Sequence, residues 1–261
     1  MVFTDFHFYS EVLGIQTAAY VLLPEPKVMN QSAVPLPTLY LLHGLSDDHT
    51  MWMRQTRLEQ YARLYRVAVV MPAANRSFYM DMAHGAKYDT FLSSELPSVM
   101  ERYFPLCRKR EGRFAAGLSM GGYGSLKLGL TRSNRYAAVA SISGCLEMEK
   151  GYDTFRMQNP DMVRELDDIY GGEAELKRGS GALFARAARL AKAPERAPRM
   201  YIACGTEDFL FEANERFVAQ FGKALPIEYH TEPGAHTWDF WDRHIERILA
   251  WLPLERAEGV W

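Results

Sequence analysis

Cysteine is scarce in this chain, and long apolar runs are missing from it. The 261 residues include 3 cysteines, and so small and odd a number does not predict a disulfide framework. No run of about 18 consecutive apolar residues occurs, so no membrane-spanning helix is predicted. The first residues, MVFTDFHFYSEVLG, lack the basic start and continuous apolar stretch of a signal peptide. We therefore expect Cys107, Cys145 and Cys204 to be buried free thiols of a cytoplasmic protein.

A large excess of charge of either sign is also missing. The formal net charge is −2 at pH 7 and the pI is about 6.4, which gives no electrostatic reason to expect nucleic acid or an anionic membrane as a partner. No group of His, Asp, Glu or Cys has the spacing of metal ligands. Neither a dinucleotide-binding fingerprint nor a phosphate-binding loop is present. The sequence therefore predicts no metal and no cofactor.

No internal repeat and no shift in composition divides the chain, and strands and helices are predicted to alternate along it. Uninterrupted apolar runs such as Thr38–Leu42 and Val67–Met71 are typical of strands in a parallel sheet covered by helices on both faces. Two antiparallel strands, around Phe6–Val12 and Thr17–Leu23, are expected at one edge. The sequence predicts one α/β domain, residues 1–261, built on a mostly parallel, doubly wound sheet.

The other elements are predicted from the same patterns. A proline-bearing loop is expected over Pro24–Pro37, and a single helix over Met51–Tyr65. A helix over Phe91–Phe104 has Pro97 near its start. The remaining predictions are an irregular loop (Asn75–Asp89), three strands (Tyr136–Ile142, Arg199–Cys204, Ile227–Thr231) and two helices (Glu212–Leu225, Phe240–Trp251).

Residues 147–195 interrupt this alternation. Acidic residues dominate the first half of the segment, and basic residues dominate the second. We expect a small helical insertion here. It is interpreted either as a lid or cap over the functional site or as a pair of solvated helices joined by salt bridges, and the two interpretations are compatible.

The stretch RFAAGLSMGGYGSLKLGLT, Arg113–Thr131, predicts a strand, a tight turn and a helix, with Ser119 at the turn. A G-x-S-x-G pentapeptide arises by chance in roughly one chain of this length in ten, so the pentapeptide alone is weak evidence. A strained turn between a strand and a helix, however, holds a serine hydroxyl in the open where it can act as a nucleophile. Gly117 and Gly121 fit such a turn, because side chains there would collide across it.

A nucleophilic serine needs a base and an acid that orients the base. In a sheet of this kind the chain order is serine, acid, histidine, each on a loop that follows a strand. The strand MYIAC leads to Glu207 and Asp208, and the strand IEYHT leads to His236. Asp208 and His236 are predicted as acid and base, with Glu207 as the alternative acid. The remaining candidates are expected to be structural or exposed: His7, His49, His84, His230, His244, Asp239 and Asp242.

Two backbone N–H groups are expected to form an oxyanion hole. One belongs to Met120, which follows the serine at the start of a helix. The other is predicted at Leu45, in the loop after the strand TLYLL. Three aromatic residues near the predicted loops, Trp52, Phe209 and Trp238, are interpreted as walls of an apolar acyl pocket, with ordinary core packing as the alternative for each.

Seven stretches spread over nearly the whole chain match one known group of enzymes in register. They are FYSEVLG, LYLLHGLSDDHTMW, VVMPAANRSFYMD, ELPSVMERYFP, FAAGLSMGGYGSLKLGL, ACGTEDFLFEAN and GAHTWDFW. Together they resemble the esterase D group of α/β-hydrolases, most closely the bacterial tributyrin esterases. The resemblance implies a cofactor-free serine carboxylesterase for short acyl chains, often oligomeric. It implies Ser119, Asp208 and His236 as the triad, with Asp208 favoured over Glu207.

The same group includes S-formylglutathione hydrolases, which typically carry a cysteine in the early loop where this chain has LSDDHTMW. Feruloyl and acetyl-xylan esterases share the scaffold, and no residue decides against them. An acyltransferase would use the same triad, whereas a non-catalytic binding protein would normally have lost one of its members. The sequence thus predicts an esterase for small-molecule esters of short acyl chains.

The aromatic edge near Phe6–Tyr9 has two possible roles. It pairs with the same edge of a second subunit, or it is covered by other parts of the same chain.

Overall fold

The computed structural model describes residues 1–25, 35–179 and 181–256, so most of the predicted loop Pro24–Pro37 lies outside the described residues. These parts of the chain form one sheet with the strand order β1-β2-β4-β3-β5-β6-β7-β8. The strands are β1 (Val2–Ser10), β2 (Ile15–Leu23), β3 (Thr38–Leu42), β4 (Ala68–Pro72), β5 (Arg113–Leu118), β6 (Ala138–Ile142), β7 (Arg199–Gly205) and β8 (Ile227–Glu232).

The sheet is mostly parallel, as predicted. Strand β2 runs antiparallel to both β1 and β4, and all other neighbouring strands are parallel. Strands β3 to β6 are buried along their whole length, which explains their uninterrupted apolar sequences. The carboxyl ends of the parallel strands therefore meet at one edge of the sheet, where ligand sites of open α/β sheets are found.

Strand β1 starts earlier than predicted and stops at Ser10 rather than at Val12. The reason is the carboxylate of Glu95, which accepts hydrogen bonds from the Ser10 hydroxyl and from the N–H groups of Glu11 at 2.8 Å and Val12 at 3.3 Å. Those N–H groups are thus bound to a side chain instead of a neighbouring strand. The chain then turns at Gly14, whose φ of 69° is in the left-handed region.

Helices cover both faces of the sheet. In β3, Tyr40 and Leu42 belong to one apolar cluster, and Leu39 and Leu41 belong to the other, on the opposite face. The α-helices are α1 (Met51–Gln55), α2 (Leu58–Tyr65), α3 (Tyr88–Thr90), α4 (Leu96–Tyr103), α5 (Met120–Thr131), α6 (Met148–Gln158), α7 (Pro160–Tyr170), α8 (Glu173–Arg178), α9 (Leu183–Leu190), α10 (Phe211–Phe221) and α11 (Trp238–Trp251). No helix within the described ranges is long and apolar enough to cross a membrane.

The single helix predicted over Met51–Tyr65 is wrong, because the structure has two helices there, α1 and α2. The break lies at Thr56 and Arg57, where hydrogen bonds that involve side chains replace helical ones. The Thr56 hydroxyl donates to the carbonyl of Trp52 at 2.5 Å, and the N–H of Arg57 donates to the carboxylate of Asp242 at 2.9 Å. A residue 185 positions away thus helps to end this helix.

The helix around Pro97 begins earlier than predicted. It starts with α3, passes through a π-helical turn over Phe91–Glu95 and continues as α4, with Pro97 in the first turn of α4. In the π-helical turn the N–H of Leu96 bonds the carbonyl of Phe91, five residues back. This wider turn precedes Pro97, which has no backbone N–H to donate to a helical hydrogen bond.

The described residues of the segment 147–195 form four α-helices, α6 to α9, instead of the pair that one interpretation predicted. Ion pairs do link them, and Glu173 of α8 binds both Lys177 at 2.5 Å and Arg156 of α6. Leu166, Ile169 and Leu183 are buried in the main apolar cluster. The helices are therefore amphipathic, with one face packed against the main apolar cluster and the other carrying ion pairs.

Candidate active site

Ser119 lies at the sharp turn between β5 and α5. Its φ of 54° and ψ of −116° are an unusual backbone conformation for a residue other than glycine, and such strain is characteristic of functional turns. A Cβ atom on Gly117 would lie 2.5 Å from the backbone of Gly121, and one on Gly121 would lie 2.3 Å from the carbonyl oxygen of Leu42. The two glycines therefore allow the close approach that the turn requires.

Asp208 and His236 form a hydrogen-bonded pair at the same edge of the sheet. Asp208 follows β7, His236 follows β8, and the distance between His236 Nδ1 and Asp208 Oδ2 is 2.9 Å. Asp208 is 4% exposed, and its other carboxylate oxygen accepts the N–H of Leu210 at 2.9 Å. Burial opposes the charge on Asp208, but these hydrogen bonds outweigh burial and lower the pKa of the carboxyl group.

The neighbouring acid, Glu207, has a different task. Its carboxylate accepts the N–H of Gly234, and its own N–H donates to the carbonyl of Gly234 at 3.0 Å. A Cβ atom on Gly205 would lie only 2.0 Å from that same carbonyl oxygen. Glu207 and Gly205 therefore hold the loop after β7 against the loop that carries His236.

The hydroxyl of Ser119 contacts a thiol. Its Oγ lies 3.7 Å from Sγ of Cys145, and within the described part of the chain it makes no hydrogen bond to His236. Burial raises the pKa of Cys145 to about 12, which keeps the thiol protonated at neutral pH. Cys145 is half-buried rather than buried, as is Cys107, so the prediction of three buried thiols holds only for Cys204. Nothing in the sequence pattern indicated that Cys145 adjoins Ser119.

The loop after β3 is fixed by His43. Its Nε2 accepts the N–H of Ala74 at 3.1 Å, so the proton is on Nδ1, which donates to the carbonyl of Gly44 at 2.7 Å. Burial lowers the pKa of His43 to about 4, and the ring is neutral. The carbonyl of His43 accepts the hydroxyl of the buried Tyr79 at 2.9 Å. Sequence reasoning missed both roles, although His43 directly follows a buried strand.

The two predicted oxyanion donors have no other acceptor within residues 1–25, 35–179 and 181–256. The N–H of Gly44 donates to Asp47 at 3.1 Å, whereas the N–H of Leu45 has no hydrogen-bond acceptor among the described residues. The N–H of Met120 is the first of α5, one of those that a helix leaves without an intrahelical acceptor.

The three predicted pocket aromatics lie in different surroundings. Phe209 is 77% exposed, and its ring centroid lies 4.6 Å from that of His236. Trp238 is half-buried and packs edge to face against Trp52 at 5.4 Å. Trp52 is 0% exposed and donates its indole N–H to the carbonyl of Leu42 at 3.0 Å. Trp52 thus supports the sheet end from within the core, which agrees with the alternative of ordinary core packing.

Two further residues of the site were not predicted. Trp241 packs edge to face on His236, with ring centroids 4.9 Å apart, and its indole N–H donates to the hydroxyl of Ser143 at 3.1 Å. Ser143, at the end of β6, has a φ of 50°, and its hydroxyl contributes to lowering the pKa of Asp208. The sequence did offer one signal for Ser143, because it is a polar residue that directly follows a buried strand.

The alternative acids and bases are bound elsewhere. Asp239 accepts the Thr237 hydroxyl at 2.5 Å, at the start of α11. Asp242, expected to face solvent, instead accepts the Tyr61 hydroxyl at 3.1 Å. His230 stacks on Tyr201, with ring centroids 4.4 Å apart, and the buried His244 makes a 2.9 Å hydrogen bond to the Tyr201 hydroxyl. None of these four residues adjoins Ser119 through a hydrogen bond among the described residues.

The sheet is mostly parallel, a serine lies at a strained strand-to-helix turn, and a histidine–aspartate pair lies at the same edge. The protein has the α/β-hydrolase fold and is a serine ester hydrolase. The chain belongs to the putative esterase family, whose model matches residues 10–252.

Three relatives show what the chain is similar to. An acetyl esterase of Caldicellulosiruptor saccharolyticus is 29% identical over 97% of this chain and 98% of its own. The substrate-bound fluorophosphonate-binding serine hydrolase F of Staphylococcus aureus is 30% identical with a TM-score of 0.88, over 96% of this chain and 98% of its own. An S-formylglutathione hydrolase of the same organism is 32% identical with a TM-score of 0.85, over the same shares.

Proposed function

We propose that the protein is a serine carboxylesterase for esters of short acyl chains, with Ser119 as nucleophile, His236 as base and Asp208 as the acid that orients it. The observation that carries the proposal is the 2.9 Å hydrogen bond between His236 and Asp208. This pair lies at the edge of the sheet where β5 ends and the strained Ser119 follows. An ionised carboxylate only accepts hydrogen bonds, so the proton is on His236 Nδ1 and Nε2 has a free lone pair.

The reaction is a two-step acyl transfer. Nε2 of His236 removes the hydroxyl proton of Ser119 as Oγ attacks the ester carbonyl, and the resulting imidazolium is stabilised by Asp208. His236 then gives the proton to the departing alcohol, which leaves an acyl-enzyme. Water repeats the sequence and releases the acid. Hydrogen bonds of this kind are often long in unliganded enzymes and shorten when substrate binds, which is consistent with the present contact of Ser119 Oγ with Cys145.

The N–H groups of Leu45 and Met120 are proposed to hold the oxyanion that develops in each step. Neither has another hydrogen-bond acceptor in the part of the chain that the structure describes, and the positive end of the α5 dipole adds to the field at Met120. Losing one such donor typically costs about 3 kcal/mol of transition-state stabilisation. The bonds of His43 and Tyr79 fix the backbone around Leu45, so that little reorganisation is needed when charge appears.

The preference for short acyl chains is supported by the relative named acetyl esterase, which aligns over nearly the whole chain, and by the resemblance to tributyrin esterases. The similarity to an S-formylglutathione hydrolase at 32% identity supports that activity as the second candidate. Against it stands the loop LSDDHTMW, which has no cysteine. A structure named ferulic acid esterase is 24% identical, which is a likeness of fold alone.

The test is the initial rate of hydrolysis of p-nitrophenyl acetate, butyrate and octanoate, a feruloyl ester and S-formylglutathione, with wild type beside Ser119→Ala. We expect acetate or butyrate to be hydrolysed fastest and the variant to lose about 10⁶-fold in turnover. Fast cleavage of S-formylglutathione alone would establish the second candidate. A fully active Ser119→Ala variant would reject both.

We also propose that two copies of the chain associate through β1, which is the edge strand of the sheet. Its exposed face presents Phe3, Asp5, His7 and Tyr9. Antiparallel pairing about a two-fold axis at Phe6 would set Asp5 opposite the second copy's His7 and Phe3 opposite its Tyr9. The edge would thus set a carboxylate opposite an imidazole and one aromatic ring opposite another.

A further inference from the structure

A cavity away from Ser119 is lined mainly by cationic side chains. We call it the α5–α9 cavity. Its volume is about 300 Å³, and its charged residues are Asp89, Lys127, Arg132, Arg186 and Arg189. It is located at the last turn of α5, whereas Ser119 precedes the first turn. The 12 residues of α5 separate the two places by roughly 17 Å.

The one carboxylate in the cavity wall is already bound on both oxygens. Lys127 is 1% exposed, and its ammonium lies 2.7 Å from Oδ1 of Asp89. The same ammonium contacts the carbonyl of Tyr79 and, at 3.2 Å, the sulfur of Met80. Arg132 lies 3.3 Å from Oδ2 of Asp89. The charge of Asp89 is therefore shared between two cations.

Arg186 and Arg189 have no carboxylate within ion-pairing distance among the described residues. They are three positions apart on α9, so they project from the same side of that helix, which packs against α5. Four cations and one carboxylate give the cavity wall a net charge of +3. The negative end of α5 offsets only about half a charge. A concave surface with unneutralised charge of one sign attracts counter-ions of the other.

We propose that the α5–α9 cavity binds a small anion that carries a phosphate group, held by Arg132, Arg186 and Arg189. Guanidinium groups bind phosphate oxygens in a bidentate manner, and a phosphate dianion would neutralise most of the excess charge. A volume of about 300 Å³ is at the lower end of small-molecule sites, so free phosphate and small phosphate monoesters both fit. Lys127 stays with Asp89 as part of the wall. The site is separate from the proposed esterase site.

The test is a titration with inorganic phosphate at constant ionic strength. The temperature at the midpoint of thermal unfolding is measured at each phosphate concentration. Phosphate at a few times its dissociation constant is expected to raise the midpoint by about 2–4 °C, because it binds only the folded state. The rise should saturate with concentration and disappear in Arg186→Gln/Arg189→Gln. The matched control is Lys192→Gln/Arg196→Gln, which removes the same charge from neighbouring positions outside the cavity wall and should keep the full rise.

Phosphate also stabilises proteins without binding, through exclusion from their surface. An equal, unsaturable rise in wild type and both double variants would therefore overturn the proposal. A saturable rise with citrate but not with phosphate would overturn the choice of ligand. Should the first double variant fold poorly, Arg189→Gln alone replaces it, since Arg189 is exposed. Esterase activity is expected to be unchanged in all these variants, so this test and that of the esterase proposal fail independently.

Discussion

The imidazole of His236 is hydrogen-bonded to the carboxylate of Asp208 at 2.9 Å, across two loops that are held together by their backbones. Gly205 and Gly234 approach so closely that a single added carbon on Gly205 would lie 2.0 Å from a carbonyl oxygen of Gly234. The positions of the acid and the histidine are thus set by the ends of two adjacent parallel strands, β7 and β8.

Replacing Gly205 with alanine is therefore expected to impair the site without changing any side chain in it. The new methyl group forces the two loops apart, and a displacement of about 1 Å in a catalytic group can cost about 100-fold in rate. Steady-state kinetics should show a loss of kcat of that order. Gly14→Ala is the control, because Gly14 has nothing within 4 Å of an added carbon; strain at its positive φ should lower stability by about 1–2 kcal/mol and leave kcat unchanged. Equal kcat for the Gly205 variant and wild type would contradict the role of the loop contact.

The two neighbouring carboxylates should respond differently to removal of their charge. Asp208→Asn is expected to lower kcat by about 10⁴-fold, because an amide favours the wrong tautomer of His236. Glu207→Gln keeps a hydrogen-bond acceptor for the N–H of Gly234 and should retain activity within about 10-fold of wild type. Both variants are measured with the best p-nitrophenyl ester. The reverse ranking would make Glu207 the acid and refute the assignment.

Two buried histidines should make stability depend on pH. Burial lowers the pKa of His43 and of His244 to about 4 in the folded state, from an ordinary value of 6.5. Between these values the unfolded chain binds more protons, so the free energy of unfolding falls as the pH falls from 6.5 to 4. The slope is about 1.4 kcal/mol per pH unit for each histidine.

Urea unfolding at several pH values between 4 and 7 measures this slope. His244→Gln is expected to remove about half of the contribution of the pair. A slope that does not change in His244→Gln would contradict the assignment of a depressed pKa to this residue.

The edge strand β1 provides a test of self-association. His7→Asp places two acids opposite each other across the proposed two-fold axis and should shift the protein toward monomer. The double swap Asp5→His/His7→Asp again sets an imidazole opposite a carboxylate and should restore the dimer. Sedimentation velocity of the three proteins distinguishes the cases. A monomeric wild type at micromolar concentration would refute the proposal, as would a dimer that the single variant leaves intact.

The sequence predicted the buried strands well because their signal is local. Thr38–Leu42 is found with the predicted bounds, since a strand covered on both faces needs an uninterrupted apolar run. The order of Ser119, Asp208 and His236 was predicted from the strands that precede them, and their catalytic roles stay a proposal. Where a side chain binds far along the chain, prediction failed: Asp242, which breaks the helix over Met51–Tyr65, lies 185 positions from its partner.

Details of the site depended on contacts that a sequence does not display. The burial of Trp52 follows from its indole bond to Leu42 and its packing against Trp238. The contact of Cys145 with Ser119 arises where the turn after β6 meets the turn after β5. Both are consequences of tertiary packing, and no local periodicity encodes them.

The most direct test of the account is to trap the nucleophile. An organophosphonofluoridate reacts with an activated serine, so intact-mass spectrometry of treated wild type should show one adduct per chain, and peptide mapping should place it on Ser119. Ser119→Ala should form no adduct, and His236→Ala should form it far more slowly, because the base is missing. An adduct on another residue, or one that persists in Ser119→Ala, would contradict the central claim.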